Sequence, residues 1–200
     1  MKISLFNKFI RVMWLLIYYL FFRFSPFFFH SYRCFILKLF GAKIERDVKI
    51  FPSVKIYLPS NLVVKSGTCI GPEVNIYNQG PIIFGRNISV SQYAYLCAST
   101  HEYNSAPPEL PLIISKIIIK DDCWICADVF VGPGVTLGTA SVVGARSVIF
   151  KDTIQRGIYV GNPAKLIKKR NANYKKIKKM KKNENSSFNR KIVKQYYTLR

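Results

Sequence analysis

The sequence predicts an all-β solenoid of about five coils, preceded by an apolar helical segment and followed by a basic tail. Three observations carry this prediction. Large apolar residues recur every six positions over more than half the chain. A small or β-branched residue stands four places after nearly all of them. Prolines and glycines punctuate the same region at spacings that no helix tolerates.

Counting in sixes from Ile44 gives Ile44, Ile50 and Ile56, then, after a skip of two residues, Val64, Ile70 and Ile76. A second skip leads to Phe84, Val90 and Leu96, and the series resumes at Ile119, Ile125, Val131, Leu137, Val143 and Ile149. The residues four places on run from Val48 to Thr153, and none is charged. An even offset inside a period of six is a strand signal, because strand side chains alternate faces. A period of 3.6 would scatter these positions around a helix. Pro52, Pro59, Pro72 and Pro133 exclude a helix independently. Gly71, Gly85, Gly132, Gly138 and Gly144 each follow a large apolar residue and are read as corners where φ can be positive. Each unit is then one short strand and one corner, and three units close a triangular coil. At ~4.8 Å between strands, the coils of residues 44–154 rise roughly 24 Å. The solenoid domain is expected over 41–167.

Residues 1–40 form a different segment. Lys8 and Arg11 precede the apolar run Val12–Phe22, and Arg23 follows it. Spanning a bilayer takes about 20 apolar residues, so this run is too short to cross. No small-residue cleavage site follows it, which argues against a signal peptide. A basic, aromatic-rich helix of this kind can lie in a membrane interface or pack on the protein's own core, and the two are compatible.

Charge is extreme and uneven. The 31 Lys and Arg outnumber the 10 Asp and Glu, for a net charge of +21. The first forty residues hold six basic residues and no acid; from Lys165 to Arg200 there are fourteen against Glu184 alone. The tail, 168–200, reads first as a solvated segment with affinity for anionic surfaces. No nucleic-acid recognition fold accompanies it, so no nucleic-acid partner is expected. Five cysteines with no secretory signal suggest reduced thiols and a cytoplasmic protein, with a peripheral place at the inner membrane face as an extension. Cys123 and Cys126 have CxxC spacing, but no second pair completes a zinc site, so no metal is expected.

The solenoid is interrupted once, at 102–118, by a loop containing Pro107, Pro108 and Pro111. A long excursion from a compact solenoid is usually functional. His101 stands where the chain departs, in Ala98-Ser99-Thr100-His101-Glu102-Tyr103, and it is the only histidine of the repeat region; His30 lies in the N-terminal segment and reads as structural.

On these residues the chain resembles the hexapeptide-repeat O-acetyltransferases, the maltose, galactoside and serine acetyltransferase group, and within it the colanic-acid acetyltransferase branch. The resemblance spans roughly residues 10–170. It rests on Leu39–Ile44, Ser91-Gln92, Tyr95-Leu96-Cys97, His101, Trp124-Ile125, Val131–Gly138, Val143-Gly144-Ala145, Lys151-Asp152 and Gly161-Asn162-Pro163-Ala164-Lys165. It implies a left-handed coil, contrary to the usual crossover hand, and a homotrimer with acetyl-CoA in a groove between subunits. It implies transfer of acetyl from acetyl-CoA to a sugar hydroxyl in the assembly of a capsule, exopolysaccharide or O-antigen, with an acceptor that is often lipid-linked. His101 then corresponds to a general base, a task that an imidazole suits near neutral pH. Direct attack needs no covalent intermediate, so Cys97 carries little weight as a nucleophile. Glu102 follows His101 where these enzymes often have Asp; it can orient the imidazole, contact the acceptor or simply face solvent. The CoA contacts map onto Trp124, Ala127, Ala145, Phe150, Lys151, Lys165 and Lys168, with the lysines meeting phosphates. The chain departs from the pattern at Cys126, where glycine is usual, and at Phe150, where threonine is common. Two other readings are an N-acyltransferase acting on an amino sugar and a non-catalytic scaffold; the latter would need neither His101 nor the Gly161–Lys165 segment.

Overall fold

The computed structural model describes residues 5–171, and those up to Lys169 form one unit. The tail expected over 168–200 lies outside the described residues beyond Asn171. The chain opens with helix α1 (Leu5–Ile17), which passes into a π-helical turn, Tyr18–Phe22, and then helix α2 (His30–Leu39). The solenoid follows. Its first coil is β1 (Lys43–Ile44), β2 (Lys49–Ile50) and β3 (Lys55–Ile56). The second is β4 (Leu62–Val64), β5 (Cys69–Ile70) and β6 (Asn75–Tyr77). The third is β7 (Ile82–Phe84), β8 (Ser89–Val90) and β9 (Tyr95–Cys97). A hairpin, β10 (Ser99–His101) and β11 (Leu112–Ile114), then leaves the prism. The fourth coil is β12 (Ile117–Ile119), β13 (Trp124–Ile125) and β14 (Phe130–Val131), and the fifth is β15 (Thr136–Leu137), β16 (Val142–Val143) and β17 (Val148–Ile149). β18 (Gly157–Val160) opens a sixth, and β19 (Lys165–Lys169) folds back against it antiparallel.

Three parallel sheets run the length of the prism: β1-β4-β7-β12-β15, β2-β5-β8-β13-β16-β18 and β3-β6-β9-β14-β17. Register follows the six-residue count, so Ile50 pairs with Ile70 and Ile70 with Val90. All fifteen residues of the apolar series are buried. Each such side chain stabilises the prism by ~1.5–3 kcal/mol relative to exposure.

Two sequence expectations need correction. The second interior position is set by the next unit rather than the preceding one. Ser60 and Thr100, four places after Ile56 and Leu96, are exposed, whereas Leu62, Ile82 and Ile117, each two residues before a large apolar residue, are buried. Where a unit has six residues the two rules coincide; where it is longer, only the pleat of the following strand decides. The corner glycines are also not positive-φ sites. Left-handed residues stand three places after the apolar residue instead, at positions such as Asp47, Asn87, Asp122 and Asp128 (φ 56 to 62°), and Asn and Asp tolerate that region. Glycine is needed for close approach between coils: a Cβ on Gly138 would come within 2.5 Å of Thr153 O.

The N-terminal segment caps the lower end of the solenoid. In upper coils, Ile70 O and Ile76 O accept from Phe51 N (3.1 Å) and Tyr57 N (3.1 Å) below. Ile50 and Ile56 hold the same register with no coil beneath. Their carbonyls accept instead from Arg33 Nε (2.7 Å) and Trp14 Nε1 (2.7 Å), and Val48 O accepts from Cys34 Sγ at 3.6 Å. Arg33 is fully buried and spends its remaining donors on Ser25 Oγ, Pro26 O and Phe27 O. Trp14, Tyr18 and Phe22 recur at helical spacing and pack against the first coil. The core-packing reading of this segment therefore holds for one of its faces.

A candidate active site

His101 is carried on a β-hairpin arm. Strand β10 continues directly from the third coil and pairs with β11, with Ser99 opposite Ile114 and His101 opposite Leu112. The excursion thus begins at Ser99 and ends at Ile117, and is a β-hairpin over part of its length. Its base is tied to the prism where Ser115 N donates to Ala98 O at 3.0 Å.

The His101 ring is exposed, and its Nδ1 lies 2.8 Å from Leu110 O. A carbonyl oxygen only accepts, which assigns the proton to Nδ1 and leaves the lone pair of the neutral ring on Nε2. Glu102 is committed elsewhere. Its carboxylate accepts from Asn104 N at 3.0 Å, and its own N–H donates to Pro111 O at 3.0 Å. Glu102 thus closes the hairpin turn, and the partner recorded for the imidazole is a backbone carbonyl.

The residues expected at CoA fall in different places. Ala127 and Ala145 occupy equivalent corners of the fourth and fifth coils. With Gln92, Tyr93, Asp128 and Arg146 they line an open cleft of about 460 Å³. Arg146 Nε and Asp128 Oδ2 are 3.5 Å apart across it. Phe150, Lys151 and Lys165 line a second cleft of about 390 Å³ with Asp152, Tyr159, Pro163 and Ala164. Neither cleft includes His101 or Glu102. Trp124 is half-exposed on β13, where its indole donates to Ser91 Oγ at 3.1 Å. Lys168 is exposed on β19, opposite Ile158.

The second cleft is built by the segment Gly161–Lys165. Val148 N donates to Gly161 O (3.0 Å), Gly161 N to Ser147 Oγ (3.0 Å) and Ala164 N to Val148 O (2.9 Å). These bonds hold Lys165 at the mouth of the cleft. Sequence reasoning missed Gln92, Tyr93, Asp128 and Arg146; their signal was position, since they share with Ala127 and Ala145 the corner that follows the second sheet. An aromatic column also escaped notice. On the outer face of the third sheet, Tyr57, Tyr77, Tyr95, Phe130 and Phe150 stack at centroid spacings of 4.8, 6.3, 5.6 and 5.7 Å. Arg11 lies 3.9 Å over its lowest ring, and Phe150 at its top forms a wall of the second cleft.

The cysteines read as structural. No disulfide links the five, Cys97 Sγ donates to Ser99 O at 3.1 Å, and the buried Cys123 Sγ donates to Gly138 O at 3.1 Å. No group of metal-ligating side chains occurs among the described residues.

A prism of parallel hexapeptide coils is the fold of the left-handed β-helix acetyltransferases. The chain is 42% identical over 149 residues to WcaF of Escherichia coli (strain K12), described as a colanic acid biosynthesis acetyltransferase, covering 74% of this chain and 81% of the relative. It belongs to the family of hexapeptide-repeat acetyltransferases represented by that protein and is an acetyltransferase. Solved structures share its fold. A maltose O-acetyltransferase from Clostridium difficile 630 superposes with a TM-score of 0.75 at 22% identity, covering 84% of this chain and 90% of that one. A hexapeptide-repeat acetyltransferase of Vibrio cholerae O1 biovar eltor, solved with acetyl coenzyme A, gives 0.74 at 23%, covering 83% and 90%. No protein-family model matches the chain.

Proposed function

We propose that the protein transfers acetyl from acetyl-CoA to a hydroxyl of a saccharide acceptor in surface-polysaccharide assembly, with His101 as general base. The observation that carries this reading is the contact of His101 Nδ1 with Leu110 O, which leaves the lone pair of the neutral, exposed ring on Nε2. A sugar hydroxyl is a poor nucleophile, and removing its proton as it attacks is typically worth ~10²–10⁴ in rate. The thioester supplies an activated acetyl group and a sulfur leaving group. Nε2 takes the hydroxyl proton while the sugar oxygen bonds to the acetyl carbon and the carbon–sulfur bond breaks; the imidazolium then returns the proton to the departing thiolate. The developing positive charge on the ring is favoured by the Leu110 carbonyl dipole.

The two clefts are the proposed seat of acetyl-CoA. Ala127 and Ala145 leave room for a pantetheine chain beside backbone groups, and Lys151, Lys165 and Arg146 offer cations for phosphates. Because neither cleft contains His101, we further propose a homotrimer in which one protomer's histidine arm faces a neighbour's fourth and fifth coils. Incubating the purified protein with labelled acetyl-CoA and a panel of polysaccharide precursors, neutral sugars and amino sugars alike, tests the reading. Label on a hydroxyl of a neutral sugar supports it; transfer confined to an amino group would replace O-acetylation with N-acetylation.

A further inference from the structure

We propose that the outer face of the N-terminal cap is a docking surface for an anionic membrane leaflet. The inner face of this cap is spent on the solenoid through Trp14, Tyr18, Phe22, Arg33 and Leu37, all buried. The outer face has no partner among the described residues. Phe24 is 80% exposed and Phe27 67%, and Phe9, Leu20, Phe28 and Leu39 are also exposed. Soluble monomers rarely show contiguous apolar surface on this scale unless it meets something. The most exposed aromatic residues, Phe24, Phe27 and Phe28, crowd at the tip formed by the turn between the helices. No helix among the described residues is long and apolar enough to cross a membrane, so the surface suits lying in an interface rather than spanning.

The charge next to this tip identifies what it meets. The residue before the inward isoleucine is lysine in all three strands of the first coil: Lys43, Lys49 and Lys55, each exposed. One lysine therefore stands on each face of the prism, directly above the cap. In the four coils above, the twelve equivalent positions, from Val63 through Trp124 to Val148, carry no charge. Lys55 and Arg23 share Glu73 at 3.9 and 3.0 Å, while the chain has no acid at all before Glu45. An apolar plate ringed by cations matches hydrocarbon overlain by anionic headgroups. Two copies of this chain meeting cap to cap would instead set their lysine rings against each other. With the cap seated on a leaflet, the third coil, from which the His101 arm leaves, stands roughly 10 Å above the lysine ring at ~4.8 Å per coil.

The experiment is co-sedimentation of the full chain with vesicles of phosphatidylcholine alone and of phosphatidylcholine with phosphatidylglycerol. Binding to the anionic vesicles, weakened by salt, is expected. The triple change Phe24→Ser, Phe27→Ser, Phe28→Ser removes exposed side chains only, so the melting temperature should hold while binding falls at least roughly tenfold. The triple change Lys43→Gln, Lys49→Gln, Lys55→Gln should weaken binding to anionic vesicles about a hundredfold at low salt and leave neutral vesicles unaffected. Failure of the wild-type protein to bind either vesicle, or wild-type binding by both variants, would overturn the proposal. So would a phenylalanine variant whose loss is in oligomeric mass by light scattering with vesicle binding intact, since the surface would then belong between copies.

Discussion

His101 and Leu110 face each other across the mouth of the hairpin, and the 2.8 Å contact between Nδ1 and the Leu110 carbonyl oxygen sets which ring nitrogen is basic. His101→Ala should therefore leave the fold, the melting temperature and acetyl-CoA binding nearly intact, since the side chain is exposed. Acetyl transfer should fall by roughly 10²–10⁴, mostly in kcat. Activity, calorimetry and CoA binding measured on one preparation check this; full activity in the variant removes the mechanism.

Glu102 acts on the arm rather than on the ring. Glu102→Gln keeps an acceptor for Asn104 N and should lower kcat by less than roughly tenfold. Glu102→Ala should lower it further, because the turn loses its clamp. If Gln were as damaging as His101→Ala, the carboxylate would have a direct role in the chemistry.

Lys165 is positioned by the Gly161–Ala164 bonds at the second cleft. Lys165→Ala should raise the KM for acetyl-CoA severalfold and make binding less sensitive to salt, because one phosphate contact is gone. An unchanged KM at low ionic strength would move the nucleotide end of the ligand elsewhere.

The proposed division of the site between one protomer's arm and a neighbour's late coils is tested with mixed oligomers. An Ala145→Trp chain, with its first cleft filled, and a His101→Ala chain should each be inactive alone. Assembled together they should recover part of the activity, since one interface pairs an intact cleft with an intact histidine. No recovery in oligomers shown by mass to be mixed would place the whole site within one protomer.

The cap is also testable. Trp14→Phe preserves ring packing but leaves Ile56 O without its donor, and should destabilise the protein by about 1–3 kcal/mol in chemical unfolding. Nearby, burial pushes the Cys34 thiol up to about 11, against the lesser opposing effects of Lys38 and Arg33. Its folded-state pKa is raised, so its contribution to stability is present below the ordinary thiol value of ~8.5 and is lost as pH rises towards about 11. Cys34 should resist alkylation in the native protein at mildly alkaline pH. Rapid labelling there, read by mass spectrometry, would mean that the cap opens.

The sequence by itself determined the period of six, the fifteen interior residues and the place where the chain leaves the prism, because strand alternation and corner chemistry are local. It also marked the run Val12–Phe22 as an apolar segment too short to span a bilayer, though not that Trp14, Tyr18 and Phe22 would be the residues it buries. Only the tertiary structure showed that Ser60 and Thr100 yield the interior to Leu62 and Ile117, since a unit longer than six residues follows the pleat of the strand that comes next. Only the structure showed that Glu102 leaves the imidazole to a carbonyl nine residues away, and that a fully buried Arg33 serves the open edge of the first coil. These contacts are made with main-chain oxygens. Every residue carries one, so nothing in a sequence distinguishes the oxygen that will be used until the coils have brought it to its partner.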